Sequence, residues 1–513
     1  MAMNRKQFLK TMARGTAATA AASALGVPEL VAGQAQAPPV SKKAEGAAIK
    51  GATEAIQRYI TTATLASMPA AAIAKGKECL VDGLGVMLAG STLPGSAILR
   101  DYAKAISSKA EATVIGKEIV RLPAAQAALA NAGAGHAMDY DDTQLSTTPD
   151  RTFGLLTHPT VPPLAAALAV GERIGASGAA FLEAFLVGFE VECKIAEAID
   201  PSHYRRGFHT SGTVGAFGAA AAAAKLLKLS PPQIHHLLTI TSSLSAGIRV
   251  NFGSMTKPLH VARAAENGVF AAEIAGRGFT GGDDGLDGQW GFFQVFGGGV
   301  DLDRLIPVIG KTYTIIDPGV SVKPYPSGVL SHPSMDAMLK LVTDNDLKPE
   351  QVKAVRLRAG NNILEPLRYG VATTELEAKF SVPFLMSTMI VRRRAGMREF
   401  TDEFVRSAPM QQMMARVKGV FDPAIEAKGY EKIRSTVEVD LVDGRTLVQQ
   451  ADERYRGGPE KPFTPDELHG KFIDCAQLVM TEARARQAIA AIESVDRLPG
   501  VRDLIRSLTG ASA

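Results

Sequence analysis

The chain has 513 residues, 46% of them apolar, 21% charged and only 6% aromatic, with 56 basic against 52 acidic side chains. That composition excludes a disordered or collagen-like chain, and the length exceeds what one hydrophobic core usually serves, so at least two domains are expected. The net charge of +4 is concentrated at the amino terminus, where residues 1–37 hold Arg5, Lys6, Lys10 and Arg14 against Glu29 alone. The rest nearly balances, which gives no electrostatic case for a nucleic-acid or anionic-membrane partner. The apolar runs break well short of the ~18–20 residues of a spanning helix. Cys79, Cys193 and Cys475 are odd in number and far apart. They read as buried apolar side chains, and suggest neither a disulfide framework nor a metal site.

In chain order, Asn4–Lys10 precede a weakly hydrophobic Ala/Thr/Gly run and the small-x-small triplet Ala35-Gln36-Ala37. The arrangement resembles a twin-arginine export signal with Lys6 in place of the second arginine. It implies a signal at 1–37, a linker at 38–50 and a periplasmic or exported protein; with the signal unused, the protein stays cytoplasmic. From Gly51 to Gly310 long Ala/Leu runs with 3.6-type spacing predict helix after helix. Ser230-Pro231-Pro232-Gln233 is a helix start with a cap and a Pro at the first helical position. His235 and His236 on that helix are expected to be one buried and one exposed. Gly212, Gly215 and Gly218 lack a preceding strand and run into an Ala-rich helix, which points to close packing and away from a phosphate loop. Beyond about Val320 the period changes. Val355, Leu357 and Ala359 alternate with Arg356 and Arg358, and Val437–Leu441 reaches Asp443-Gly444 before Thr446–Val448, a hairpin signal. Helix returns at the cap Thr464-Pro465-Asp466-Glu467. The expected fold is mainly α: a helical domain from 51–318 and 455–513, carrying an inserted α+β domain at 319–454.

The chemistry gathers first at Asn131–Thr143, NAGAGHAMDYDDT, which reads as helix. On a helix Asp139 and Thr143 share a face, Asp142 lies near it and Asp141 points elsewhere. On chemistry alone the acids could bind Mg²⁺ and a diphosphate, or orient a histidine or transfer a proton. His158-Pro159-Thr160, Gly207–Gly212 around His209, Met255–His260 around Lys257, and Lys323–Gly328 each set a His or Lys in a Gly/Pro/Thr-rich frame. Lys257, directly before Pro258, is expected to precede its helix and point into a cleft.

In this order, and with Arg277–Gly281, Glu377–Phe384, Gly458-Pro459-Glu460 and Phe472–Ala476, these motifs resemble the MmgE/PrpD family, which includes 2-methylcitrate dehydratase and cis-aconitate decarboxylase. The likeness runs from about residue 50 to 500. It implies a helical domain with a lid, a site at their junction, usually a homodimer, and no metal or other cofactor. The family's site residues fall on Asp139, Thr143, His158, His209, Lys257 and Lys323, with His332, Asp142 and Tyr325 as further substrate contacts. His136 and His260 are divided between supporting and structural roles. One departure is visible: fifteen positions separate Thr143 from His158, more than in the cis-aconitate decarboxylases, and Thr147–Arg151 is expected to loop beside the pocket. The implied function is a lyase of small polycarboxylates, removing water or CO₂ by histidine acid–base chemistry with lysines as carboxylate clamps. An epimerase or isomerase of a dicarboxylate on the same scaffold, and a non-catalytic exported carboxylate-binding protein, are the alternatives.

Overall fold

The computed structural model describes residues 50–145, 155–199 and 201–509. The signal expected at 1–37 and the loop expected at Thr147–Arg151 lie outside the described residues. Helices predominate. The larger core is built on α1 (Ala70–Gly90), α2 (Ala124–Ala137), α3 (Val161–Ile174), α4 (Gly178–Ala198), α5 (Gly215–Leu227), α6 (Pro231–Leu244) and α7 (Thr256–Gly276). At its centre α5 packs against α3, α4 and α7, and Ala219–Ala224 on it are at most 1% exposed. Small residues are required there. A Cβ at Gly218 would stand 2.6 Å from Glu192 Oε2, and one at Gly212 2.5 Å from the Ala246 carbonyl, so these glycines serve close packing as the sequence suggested. The capping box of Ser230 and Gln233 opens α6.

A second core gathers Phe252 and residues from Tyr325 to Tyr455. It carries β1 (Val352–Ala359), β2 (Val417–Phe421), β3 (Ser435–Leu441) and β4 (Thr446–Gln450), ordered β2-β1-β3-β4. β1 and β2 are parallel, and the other pairs are antiparallel. The period-two pattern holds: Val355, Leu357 and Ala359 are buried between half-buried arginines, and Leu357 pairs with Val437 across the ladder. Helices α8 (His332–Asp344) and α9 (Val382–Arg392) pack on this sheet, and Ser381 caps α9 by accepting the Phe384 N–H. The chain then returns to the larger core through α10 (Pro465–Ala476), α11 (Glu482–Glu493) and α12 (Val501–Thr509), whose Phe472, Ile492 and Leu504 lie in it.

Two details depart from the sequence reading. Within 51–310 there are short antiparallel pairs, Ala112–Val114 with Val120–Leu122 and Gln144–Leu145 with Leu155–Thr157. Strands of two or three residues are too short to display a period of two. His235 and His236 are both half-buried. All three cysteines are free and buried, and among the described residues no helix is long and apolar enough to cross a membrane.

Candidate active site

Helix α2 ends at Ala137, and Asp139 takes a left-handed φ of 51°, a conformation Asp tolerates better than most side chains. The segment Asn131–Thr143 is therefore not one helix, and the expected shared face of Asp139 and Thr143 does not exist. The turn instead sends its three carboxylates in three directions. Asp139 Oδ1 accepts from Lys257 Nζ at 2.9 Å and Lys323 Nζ at 2.8 Å. Asp141 Oδ2 lies 2.8 Å from His136 Nδ1, so it joins the cluster it was expected to avoid. Asp142 turns away and accepts the Thr160 N–H at 3.2 Å and its hydroxyl at 2.7 Å.

Lys257 lies in the first turn of α7, one residue inside the helix it was expected to precede. Pro258 fits there because first-turn N–H groups lack intrahelical partners. An ammonium at a helix N-terminus opposes the macrodipole, and Asp139 supplies the compensating charge. Lys323 is delivered by the Thr143–Ser321 bridge, whose two hydrogen bonds are 2.9 and 2.8 Å. Its Nζ also donates to the Asp139 carbonyl at 2.9 Å. Asp139, Lys257 and Lys323 are only 3%, 4% and 1% exposed, so these charges act with little water between them. Burial pushes the Asp139 carboxyl up, but the two ammonium groups and the nearby rings outweigh it and hold it well below the usual range. Asp139 is thus an ionised counter-ion and a poor proton donor.

His158 receives its backbone position from Ser211, whose Oγ accepts the His158 N–H at 2.9 Å. Its Nδ1 lies 2.8 Å from the Asp142 carbonyl, an oxygen that can only accept. Nδ1 therefore carries the proton and Nε2 the lone pair. Burial, reinforced by Lys323 and His136 against the pull of Asp141, holds the ring well below its usual pKa and so neutral. His209 is set back. Its Nδ1 faces His260 Nδ1 at 3.0 Å, its ring meets Phe252 edge-on at 5.0 Å, and its buried Nε2 has no hydrogen-bond partner among the described residues.

A small cavity lies over this cluster, lined among others by Asp139, His158, Lys257, Lys323 and the rings of Phe252 and Phe380. A larger hollow beside Tyr430, Lys432 and Arg454 shares only Leu330 with it and holds no histidine. Of the other residues named from sequence, Thr143 Oγ1 lies 3.3 Å from His158 Nδ1. His332 Nε2 is 3.2 Å from Ser327 Oγ, and Tyr325 donates to Asp336 at 2.5 Å. Thr143, His209, His332, Tyr325 and Asp142 are not among the residues that line the small cavity. Residues of the neighbourhood that sequence reasoning passed over include Lys379, which donates to the Ala137 carbonyl at 3.4 Å and pairs with Glu375. Lys471 on α10 is another. It pairs with Asp82 at 2.5 Å and donates to the Tyr140 carbonyl at 2.8 Å beneath the acidic turn. Its signal was present: Leu468, Lys471, Phe472 and Cys475 fall at helical spacing on one buried face, where a lysine needs a partner.

His136, His158 and His209 bring ring nitrogens within 4.8 Å of one another, yet this donor set does not suit a metal. Both nitrogens of His136 are engaged, one by the Lys257 ammonium at 2.7 Å, where a cation would meet like charge. Asp139 and Asp141 also bring carboxylate oxygens within 4.8 Å of each other and of a His158 nitrogen. But Asp139 Oδ1 already holds two ammonium groups and Asp142 is turned to Thr160, so the three acids do not form the single set that the Mg²⁺ reading assumed.

Asp142 yields a separable test. Burial and the Asp82 charge push its carboxyl up to about 8, so it stays protonated in the fold while the unfolded chain ionises above ~3.9. Wild type therefore loses stability from this group as pH rises from about 4 to about 8. Asp142→Asn can keep both Thr160 hydrogen bonds. Relative to wild type it is expected to gain on the order of 1–3 kcal/mol between pH 5 and pH 8. Urea unfolding at the two pH values checks this, and a pH-independent difference would mean an ionised Asp142.

The amino-terminal domain of MmgE/PrpD matches residues 54–305, and the carboxy-terminal domain matches residues 325–497. The chain belongs to the MmgE/PrpD family, a family of lyases. It is 27% identical over 475 residues to the cis-aconitate decarboxylase of Homo sapiens, covering 90% of this chain and 96% of that protein. It is 26% identical to that of Mus musculus, with 90% and 94% covered. For the Aspergillus terreus cis-aconitate decarboxylase the identity is 22%, with 91% and 98% covered. The MmgE/PrpD match spans both cores, and the cavity draws on both, with Asp139, His158 and Lys257 from the first matched region and Leu330 and Phe380 from the second.

Proposed function

We propose that this chain is a lyase of a small polycarboxylate, acting by decarboxylation, with Lys257 and Lys323 binding carboxylates and His158 moving a proton. The observation that carries this reading is the convergence of two buried ammonium groups on one Asp139 oxygen, in a cavity also lined by His158. An entering carboxylate can share those ammonium groups, and they stabilise the carbanion or enolate left when CO₂ departs. Elimination of water is the second reading, favoured by the neutral His158 ring, whose Nε2 lone pair suits removal of a proton from an acidic carbon. Lys323 and Phe380 belong to the segment expected to act as a lid, and closure of that segment would complete the site and exclude water. The protein is further proposed to act as a homodimer, and outside the cytoplasm when residues 1–37 direct export.

Incubation with cis-aconitate and 2-methylcitrate in deuterated water, followed by proton NMR, tests the reaction. Loss of CO₂ with one deuterium placed on carbon in the product is expected for a decarboxylase, and loss of water with no deuterium gained by the product for a dehydratase. Deuterium exchange without either loss would identify an epimerase, and saturable binding without any change a binding protein. Prior dialysis against a chelator is expected to leave turnover within twofold of the untreated enzyme. A metal-restorable loss would contradict the ammonium-based mechanism.

A further inference from the structure

The two lysines are not equivalent. Lys323 donates to the Asp139 carboxylate and carbonyl, neither of which readily takes a proton. Lys257 donates to Asp139 at 2.9 Å and also approaches His136 Nε2 at 2.7 Å, and His136 Nδ1 is in turn 2.8 Å from Asp141 Oδ2. His136 and Asp141 are fully buried, and Lys257 lines the cavity. This is the line carboxylate–imidazole–reactive group by which acid–base catalysts are oriented, with an amine in the outer place. Asp141 fixes the Nδ1–H tautomer, which leaves the Nε2 lone pair facing the ammonium.

We propose that Lys257 is the group that delivers a proton to the reacting carbon, and that His136, held by Asp141, is the positioning residue that sets when Lys257 carries that proton. This deepens the reading of the cavity as a polycarboxylate lyase site and rests on it. In the step, the C–C bond to the departing carboxylate breaks and CO₂ leaves. The electron pair left on carbon takes a proton from Lys257 as its N–H bond breaks. Lys257 is then a neutral amine, lying 5.3 and 5.7 Å from the Phe252 and Phe380 ring centroids, and returns to ammonium with a proton from water that His158, in the lining of the same cavity, passes on; this is the proton His158 moves. Burial already pulls Lys257 down, with Lys323 acting in the same sense and Asp139 and Asp141 against it. The groups around it are His136, Asp139 and Asp141 at the end of α2, His158, His209, Lys323, and His260 on its own helix.

The test is the pH profile of kcat for Asp141→Asn and the kinetics of Lys257→Arg, both in the full chain. Asp141→Asn removes an anion that favours the ammonium, so the alkaline limb is expected to move about one unit toward lower pH, with KM within threefold. A limb unmoved in a folded Asp141→Asn variant overturns the proposal. Lys257→Arg keeps the positive charge but cannot give up a proton near neutral pH; kcat is expected to fall at least about 100-fold while propane-1,2,3-tricarboxylate still binds. Turnover within fivefold of wild type in Lys257→Arg overturns the proposal by itself, even if Asp141→Asn fails to fold. Failure of the tricarboxylate to bind wild type overturns the site reading instead, and the inference with it.

Discussion

Lys323→Met is expected to lose about 10²–10³-fold in kcat/KM, because it removes one of two desolvated donors aimed at substrate and transition-state charge. The same change leaves Asp139, 3% exposed, paired with Lys257 alone, and breaking a buried pair from one side costs up to about 3–5 kcal/mol. Loss of activity could then be mistaken for loss of the fold. Urea unfolding of Lys323→Met separates the two, since it gives the folded fraction under assay conditions. With activity expressed per folded molecule, kcat/KM is expected to stay about 10²–10³-fold below wild type. A value per folded molecule near wild type would make the pair structural.

His158→Asn is the second large effect. The Asn amide can take over the donation from Nδ1 to the Asp142 carbonyl, so the local backbone is expected to stay in place, but no basic nitrogen remains. General acid–base groups contribute about 10²–10⁴-fold, and a fall of that size in kcat with KM within a few-fold is expected from steady-state kinetics. An equal fall in kcat/KM carried wholly by KM would instead make His158 a binding group.

Much of this was legible from the chain, and the failures have one cause. Ser230, Thr464 and the Asp443-Gly444 turn act through neighbours two or three residues away, so their caps and hairpin could be read directly. Lys257, Lys323 and His158 could be picked out because each sits in a distinctive local frame, although His209 and His332, picked out in the same way, do not line the cavity. What could not be read was direction. The left-handed Asp139 breaks the helix one turn early, turns Asp141 inward onto His136, and sends Asp142 to Thr160. No local pattern announces a single residue of positive φ when that residue is not glycine. The pairing of Lys471 with Asp82, and of Lys379 with the end of α2, depends on contacts between residues hundreds of positions apart. Only the misplaced charge on an apolar helix face hinted at the first of them.

The most direct measurement is a thermal-shift titration with propane-1,2,3-tricarboxylate on wild type and on Lys323→Met. If Lys257 and Lys323 clamp a polycarboxylate, wild type is stabilised by an amount that rises with the logarithm of ligand concentration and reaches about 2.7 kcal/mol at a hundred times Kd, and the variant shows little or no shift over the same range. Equal stabilisation of both proteins, or none in wild type, would contradict the assignment of this cavity as a polycarboxylate site.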